Sequence, residues 1–292
     1  MRDFSQDHRW LSINTATVRR QRGQDWPLLD ILDACAARGI RAVSPWRDQV
    51  AAAGLQATAQ RLQSHGLALS GYCRGGMFTY TDTASRQAVR DDNKRALDEA
   101  CTLGAPCLVL VVGALPGALA GKAAHRDIAA AREQVTEGIA ALLEDARERH
   151  MPLAIEPLHP MYAADRACIN TLEQALDVCD ALDPARSGAL GVALDVYHVW
   201  WDPKLHAMIE RAGKERLLAF HVCDWLTPTT HLLEDRGMMG DGVIDIPRIR
   251  AAVEAQGFAG YSEVEIFSTG NWWQRDGGEV LDTCIERFGT CV

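Results

Sequence analysis

The chain has 292 residues, 48% apolar and 24% charged, the composition of an ordinary globular protein able to bury a large core. Lys and Arg number 30 against 39 Asp and Glu; the net charge of −9, with no basic run, speaks against general nucleic-acid binding, which depends on neutralising phosphates. No apolar run reaches the roughly 20 residues a bilayer-spanning helix needs, and Met1–Trp10 carries no signal-peptide-like apolar segment, so no membrane association is expected. The nine Cys are scattered with no CxxC pair, which predicts reduced, mostly buried thiols in a cytoplasmic protein rather than disulfides or structural zinc.

Eight short apolar runs punctuate the sequence, separated by loops and helical stretches. Trp10–Asn14 comes first, followed by a helix over Leu28–Arg38, in which Leu28, Leu29, Leu32 and Cys35 recur at helical spacing. Ile40–Ser44 and Leu67–Tyr72 follow, then a helix over Ala84–Leu103, the run Cys107–Val112 and a helix over Ala124–His150. Pro152–Glu156 precedes a helix over Leu172–Leu182, and Ala189–Asp195 precedes one over Pro203–Ala212. Leu217–Val222, a helix over Ile246–Gln256, Tyr261–Phe267 and a helix over Glu279–Phe288 complete the series. Gly39, Gly66 and Gly104 stand where helices give way to the next run, the position of a left-handed stop.

Near-continuous apolar strands alternating with helices imply a parallel sheet covered by helices. Eight such units, with no GxGxxG after an early strand to suggest an open dinucleotide-binding sheet, predict a (β/α)8 TIM barrel formed by one domain over residues 1–292.

In such a barrel the chemistry gathers at the C-terminal ends of the strands. The fifth run ends at Glu156, the sixth at Asp195, the seventh holds His221 and the eighth Glu265. Neighbouring strands lie ~4.8 Å apart, so these four heads can converge. An unpaired carboxylate between apolar neighbours is costly, as in Leu194-Asp195-Val196 and Val264-Glu265-Ile266, and three carboxylates plus an imidazole suit one divalent cation. Manganese is the first choice, with magnesium, cobalt and zinc as alternatives. Glu263 points to the same face as Glu265 but one layer deeper, which makes Glu265 the preferred ligand and the least secure of the four.

At these residues the chain resembles the sugar phosphate isomerase/epimerase family, the xylose isomerase-like TIM barrels. The segments that carry the resemblance are Ile155-Glu156-Pro157-Leu158, Leu194-Asp195-Val196-Tyr197-His198, Phe220-His221-Val222-Cys223-Asp224 and Val264-Glu265-Ile266-Phe267, with Asp235-Arg236-Gly237 and Gly240-Asp241-Gly242 in the last long loop. The resemblance implies metal ligands at Glu156, Asp195, His221 and Glu265, an acid/base pair at Glu156 and Glu265, and substrate contacts from His198 and Arg236. It implies no particular substrate.

Other side chains near strand ends are candidates on their own spacing. His159 follows Glu156 by three residues, and Arg74 follows the third run beside Gly75-Gly76; either can reach substrate or merely shape its loop. Asp224 can orient His221 or cap the segment after it. Trp46, Trp200, Trp201, Trp225, Trp272 and Trp273 follow strand ends; most are expected to pack loops, and one or two, Trp46 first, to wall the substrate pocket.

The expected activity is that of a divalent-metal-dependent isomerase or epimerase of carbohydrate metabolism, acting on a keto-sugar or derivative through a metal-stabilised enediolate. A metal-dependent lyase or dehydratase on a keto-polyol or keto-glycoside, inosose-dehydratase-like, is the alternative. A zinc nuclease and a non-catalytic sugar-binding barrel fit less well. The absence of a Gly-rich cradle with a Lys favours an unphosphorylated substrate. The expected partner is a small carbohydrate; homo-oligomerisation is plausible but carries no sequence signal.

Overall fold

The computed structural model describes residues 2–292. Nine parallel strands form one sheet: β1 (Leu11–Asn14), β2 (Ala42–Ser44), β3 (Ala68–Leu69), β4 (Tyr72–Gly76), β5 (Leu108–Val111), β6 (Leu153–Ile155), β7 (Leu190–Asp195), β8 (Leu217–Val222) and β9 (Ser262–Val264). Its order is β3-β2-β1-β9-β8-β7-β6-β5-β4. The two edge strands are separated only by Ser70 and Gly71, so they are halves of one stave, and eight staves wrap into a TIM barrel. The first half pairs with β2 and the second with β5, which brings the two edges of the sheet together.

The helices are α1 (Leu28–Ala37), α2 (Arg47–Ala53), α3 (Leu55–His65), α4 (Thr83–Leu103), α5 (Ile128–Glu148), α6 (Leu172–Leu182), α7 (Val196–Val199), α8 (Leu205–Arg216), α9 (Ile246–Ala255) and α10 (Gly277–Cys291). Their apolar stripes face the sheet, as Leu28, Ile31, Leu32 and Cys35 do on α1. No helix among the described residues is long and apolar enough to cross a membrane, and all nine Cys are free.

The third stave departs most from the sequence pattern. Its apolar run was expected to end at Tyr72, with Arg74 beyond it; instead the strand resumes at Tyr72 and runs to Gly76, so Arg74 lies within it. Strand pairing of Cys73 with Val109 and Gly76 with Val111 holds this polar, Gly-rich segment extended. Gly76 has φ +109°, and a Cβ there would stand 2.1 Å from the Val111 carbonyl oxygen, so no other residue fits without displacing the backbone. Two further boundaries move for reasons of capping. The helix expected from Ala124 starts at Ile128, where the Asp127 side chain accepts from the Ala129 and Ala130 N–H groups. The last helix starts at Gly277, capped by Asp276, rather than at Glu279.

Candidate functional site

The four strand-end residues meet. One ligand atom from each of Glu156, Asp195, His221 and Glu265 lies within 4.8 Å of the others, and all four side chains are buried. Glu156 follows the last residue of β6, Asp195 ends β7, His221 is the penultimate residue of β8 and Glu265 follows β9. His221 is in register with Asp195 on one side and Glu263 on the other, which is how adjacent parallel strands deliver successive donors to one point.

His221 has a distinct neighbour on each ring nitrogen. Nδ1 lies 3.2 Å from Glu156 Oε1 and 3.8 Å from Glu265 Oε2; Nε2 faces Glu263 Oε1 at 3.5 Å. Glu263 therefore sits behind the imidazole, outside the four-residue cluster. It also accepts from Ser70 Oγ at 2.7 Å and from Asn14 Nδ2 at 2.8 Å. The same Asn14 amide donates to Glu265 Oε1 at 2.9 Å, so one side chain on β1 aligns both acids of the last stave. Asn14 was not among the sequence candidates, although it closes the first apolar run as the acids close later ones.

Arg236 is buried among these acids. Its Nη1 donates to Asp195 Oδ2 at 2.9 Å and to Glu265 Oε2 at 3.2 Å, and its plane lies over the Tyr197 ring at 4.4 Å. Its Nη2 lies 3.1 Å from His198 Nε2, while the His159 N–H donates to His198 Nδ1 at 3.1 Å. Burial, reinforced by the Arg236 charge and opposed by Asp195, lowers the His198 pKa to about 3, so that ring is neutral. Asp195 additionally caps α7, accepting from Tyr197 N–H at 2.9 Å.

One guanidinium does not balance the acids around it. Burial raises the Glu265 pKa to about 8; Arg236 opposes the rise and Glu156 adds to it. Burial also opposes charge on His221, but Glu263, then Glu156 and Glu265, outweigh it and raise the imidazole well above its ordinary value. Among the described residues the His221 Nε2 has no hydrogen-bond partner, although a carboxylate faces it. A divalent cation fits this donor set. It would offset the crowded carboxylates and displace the Nδ1 proton, leaving Nε2–H directed at Glu263, the usual arrangement behind a metal-binding histidine.

Of these groups Glu156, Glu265 and Arg236 line a cavity of about 240 Å³, together with Trp46, Arg74 and His198. Trp46 donates from Nε1 to Asn14 Oδ1 at 2.7 Å and meets Phe267 edge-on, with ring centroids 5.4 Å apart; Phe267 in turn meets Trp273. Of the six Trp candidates, Trp46 and Trp273 line this cavity. Trp200 and Trp225 pack against one another.

Two candidates are turned elsewhere. The His159 ring stacks on Trp225 at 4.9 Å and its Nδ1 accepts from Met161 N–H at 3.3 Å, where it caps a short 3-10 turn that opens at Pro160. Asp224 accepts from the N–H groups of Trp225, Gly240 and Ile244, so it organises the last long loop rather than orienting His221. Arg166, which also lines the cavity, comes from the loop after β6 and carried no sequence signal.

Comparisons with known proteins agree with the barrel fold. No curated protein matches the sequence. A crystal structure of a protein from Sinorhizobium meliloti 1021 is 55% identical, covering 97% of this chain and 98% of that one, with a TM-score of 0.90. The zinc-bound IolI protein is 19% identical over 94% of this chain and 95% of its own, with a TM-score of 0.77. D-psicose 3-epimerase, solved in the presence of D-fructose, is 16% identical over 94% and 96%, with a TM-score of 0.70. At such identities these last two resemblances speak for the fold. The sequence model of one family matches residues 32–284, and on that match the chain belongs to the xylose isomerase-like TIM barrels.

Proposed function

We propose that the protein is a divalent-metal-dependent isomerase or epimerase of a keto-sugar or keto-sugar derivative. The observation that carries this reading is the convergence of Glu156, Asp195, His221 and Glu265 within 4.8 Å, with Glu156 and Glu265 lining a cavity that Trp46 and Trp273 also line. These four residues would hold the cation, which supplies Lewis acidity toward substrate oxygens beside the exchanging C–H. Manganese is the first ion to test. That two neighbours of the same fold bear the names D-psicose 3-epimerase and 3-keto-D-glucoside 4-epimerase supports the choice of reaction class.

Glu156 and Glu265 stand on staves separated by two others, so their carboxylates can approach a bound sugar from different sides. One accepts the proton from carbon and the other returns one. Return to the opposite face inverts the centre; return to the neighbouring carbon exchanges aldose and ketose. His198 lines the cavity with one ring nitrogen on Arg236 and the other on the His159 backbone, so it would hold Arg236 beside the substrate. Trp46 and Trp273 offer indole faces to the C–H side of the ring.

The test is a panel of keto-sugars incubated with the cation-loaded protein in D2O. Deuterium should enter at a carbon next to the carbonyl without loss of water, and chelator should stop it. A deoxy product would instead identify the lyase alternative, and no exchange across the panel would overturn the assignment.

A further inference from the structure

Four guanidinium groups line the cavity, and they are not equivalent. Arg236 is paired with Asp195 and Glu265, and Arg19 with Asp48. Among the described residues, Arg74 and Arg166 have no carboxylate within 4.0 Å and donate no side-chain hydrogen bond, although both line the cavity. Arg74 projects from β4, and Arg166 from the loop after β6, whose backbone is pinned to the end of β5 where Gly113 N–H donates to the Arg166 carbonyl at 2.9 Å. The two are close enough that, after burial, Arg166 is the largest influence opposing the charge on Arg74, and together they hold its pKa below the ordinary arginine value. Among the described residues their one aromatic support is a distant one, Arg166 over the Tyr162 ring at 6.0 Å.

Glu156, Glu234 and Glu265 line the same cavity, but none is within 4.0 Å of either guanidinium. Two neighbouring like charges left without a direct ion pair are relieved by an oxyanion, for which paired guanidinium forks are well shaped. We propose that Arg74 and Arg166 form a subsite for a carboxylate or phosphate group of the substrate, so that the keto-sugar processed here is anionic. This rests on the function proposed above and narrows it. Neither residue belongs to the four-residue cluster, so the subsite would grip the end of the molecule that does not react. The sequence argued against a phosphorylated substrate because it lacks a Gly-rich loop with a Lys; an arginine pair from two separate segments is a different device and leaves no local motif.

The experiment compares three ketoses alike from carbon one to carbon five: D-fructose, D-fructuronate and D-fructose 6-phosphate. Each is titrated calorimetrically into the cation-loaded protein, and proton exchange in D2O is followed in parallel. At least one anion should bind about tenfold or more tightly than fructose, less so at high salt, and the better of the two tells carboxylate from phosphate. The double substitution Arg74→Gln with Arg166→Gln should abolish the preference, so that neither anion binds the variant more tightly than fructose does. Should that variant not fold, Arg166→Gln alone, in a loop, should lose part of it. Fructose binding as tightly as both anions, neither anion binding, or a preference surviving in the variants would overturn the subsite. Anion preference without proton exchange would sink the isomerase reading and leave the subsite standing; exchange without anion preference would do the reverse.

Discussion

Arg216 and Arg236 are both buried, both face two carboxylates, and lie at opposite ends of the barrel. At the N-terminal end, Arg216 Nη1 donates to Asp183 Oδ2 at 2.8 Å and to the Leu190 carbonyl at 2.7 Å. Its Nη2 donates to the carbonyls of Cys179 at 3.2 Å and Asp183 at 2.5 Å, and to Asp180 Oδ1 at 3.3 Å. Arg147 and Arg211 bring further positive charge to the same two aspartates and Asp177 pairs with Arg211, so three arginines meet three acids and the network ties α6 to α8. At the C-terminal end, Arg236 serves Asp195 and Glu265 while Glu156 and Glu263 crowd the same space around His221. A matched network is a structural joint; an acid surplus held rigidly beside a cavity is a binding site for positive charge.

Four measurements would break or sharpen that contrast. The largest effect is expected from Glu265→Gln, which keeps the shape but removes a proton carrier: turnover should fall about 10³-fold with little change in melting temperature. Wild-type rates in this variant would refute the role given to Glu265. Asp183→Asn should act in the opposite sense. It leaves the Arg216 charge poorly compensated in the protein interior and should cost about 3 kcal/mol, some 6–12 °C in melting temperature, with kcat unchanged. A melting temperature equal to wild type would mean that Asp180 and the carbonyls suffice.

Added cation probes the mouth of the barrel alone. At a hundredfold excess over Kd it should stabilise wild type and Asp183→Asn alike, by about 2.7 kcal/mol, and Glu265→Gln by visibly less. Equal shifts in all three would detach the cation from the cluster. The smallest effect is in pH. Burial would raise the Asp183 pKa, but hydrogen bonds from Ser187 and Arg216 outweigh it and hold the carboxyl below its ordinary value. Its contribution is therefore present above the unfolded-state pKa of about 3.9 and lost as pH falls toward the lower folded value. The gap in melting temperature between wild type and Asp183→Asn should be constant near neutrality and narrow below about pH 4; a gap that widens in acid would contradict this.

Much of the C-terminal end was legible because burying a carboxylate or imidazole interrupts an apolar run, and Glu156, Asp195, His221 and Glu265 do so at successive strand ends. Alternation along the strand put Glu263 and Glu265 on one face, and Glu265 was preferred because it lies nearer the C-terminal end, where the other three gather. The third stave was illegible for the converse reason. Cys73-Arg74-Gly75-Gly76 has no apolar pattern, and pairing with β5 makes it a strand. His159 was open between substrate contact and a loop role, because three residues beyond a strand end the spacing does not say where a ring points; its ring packs on Trp225. Asn14 was overlooked because an amide advertises no charge. Arg166 gains its place only from the way the loop after β6 folds back against β5.

Asn14 stands on the first stave and the acids it aligns on the last, and those two staves are hydrogen-bonded neighbours, Ser12 beside Glu263 and Ile13 beside Val264. Closing the ring and finishing the site are thus a single event. A ribosome-bound chain that has not yet emerged as far as its ninth strand lacks both the carboxylate and the seam that would hold it, so cation affinity is itself a report that the two ends of the polypeptide have met.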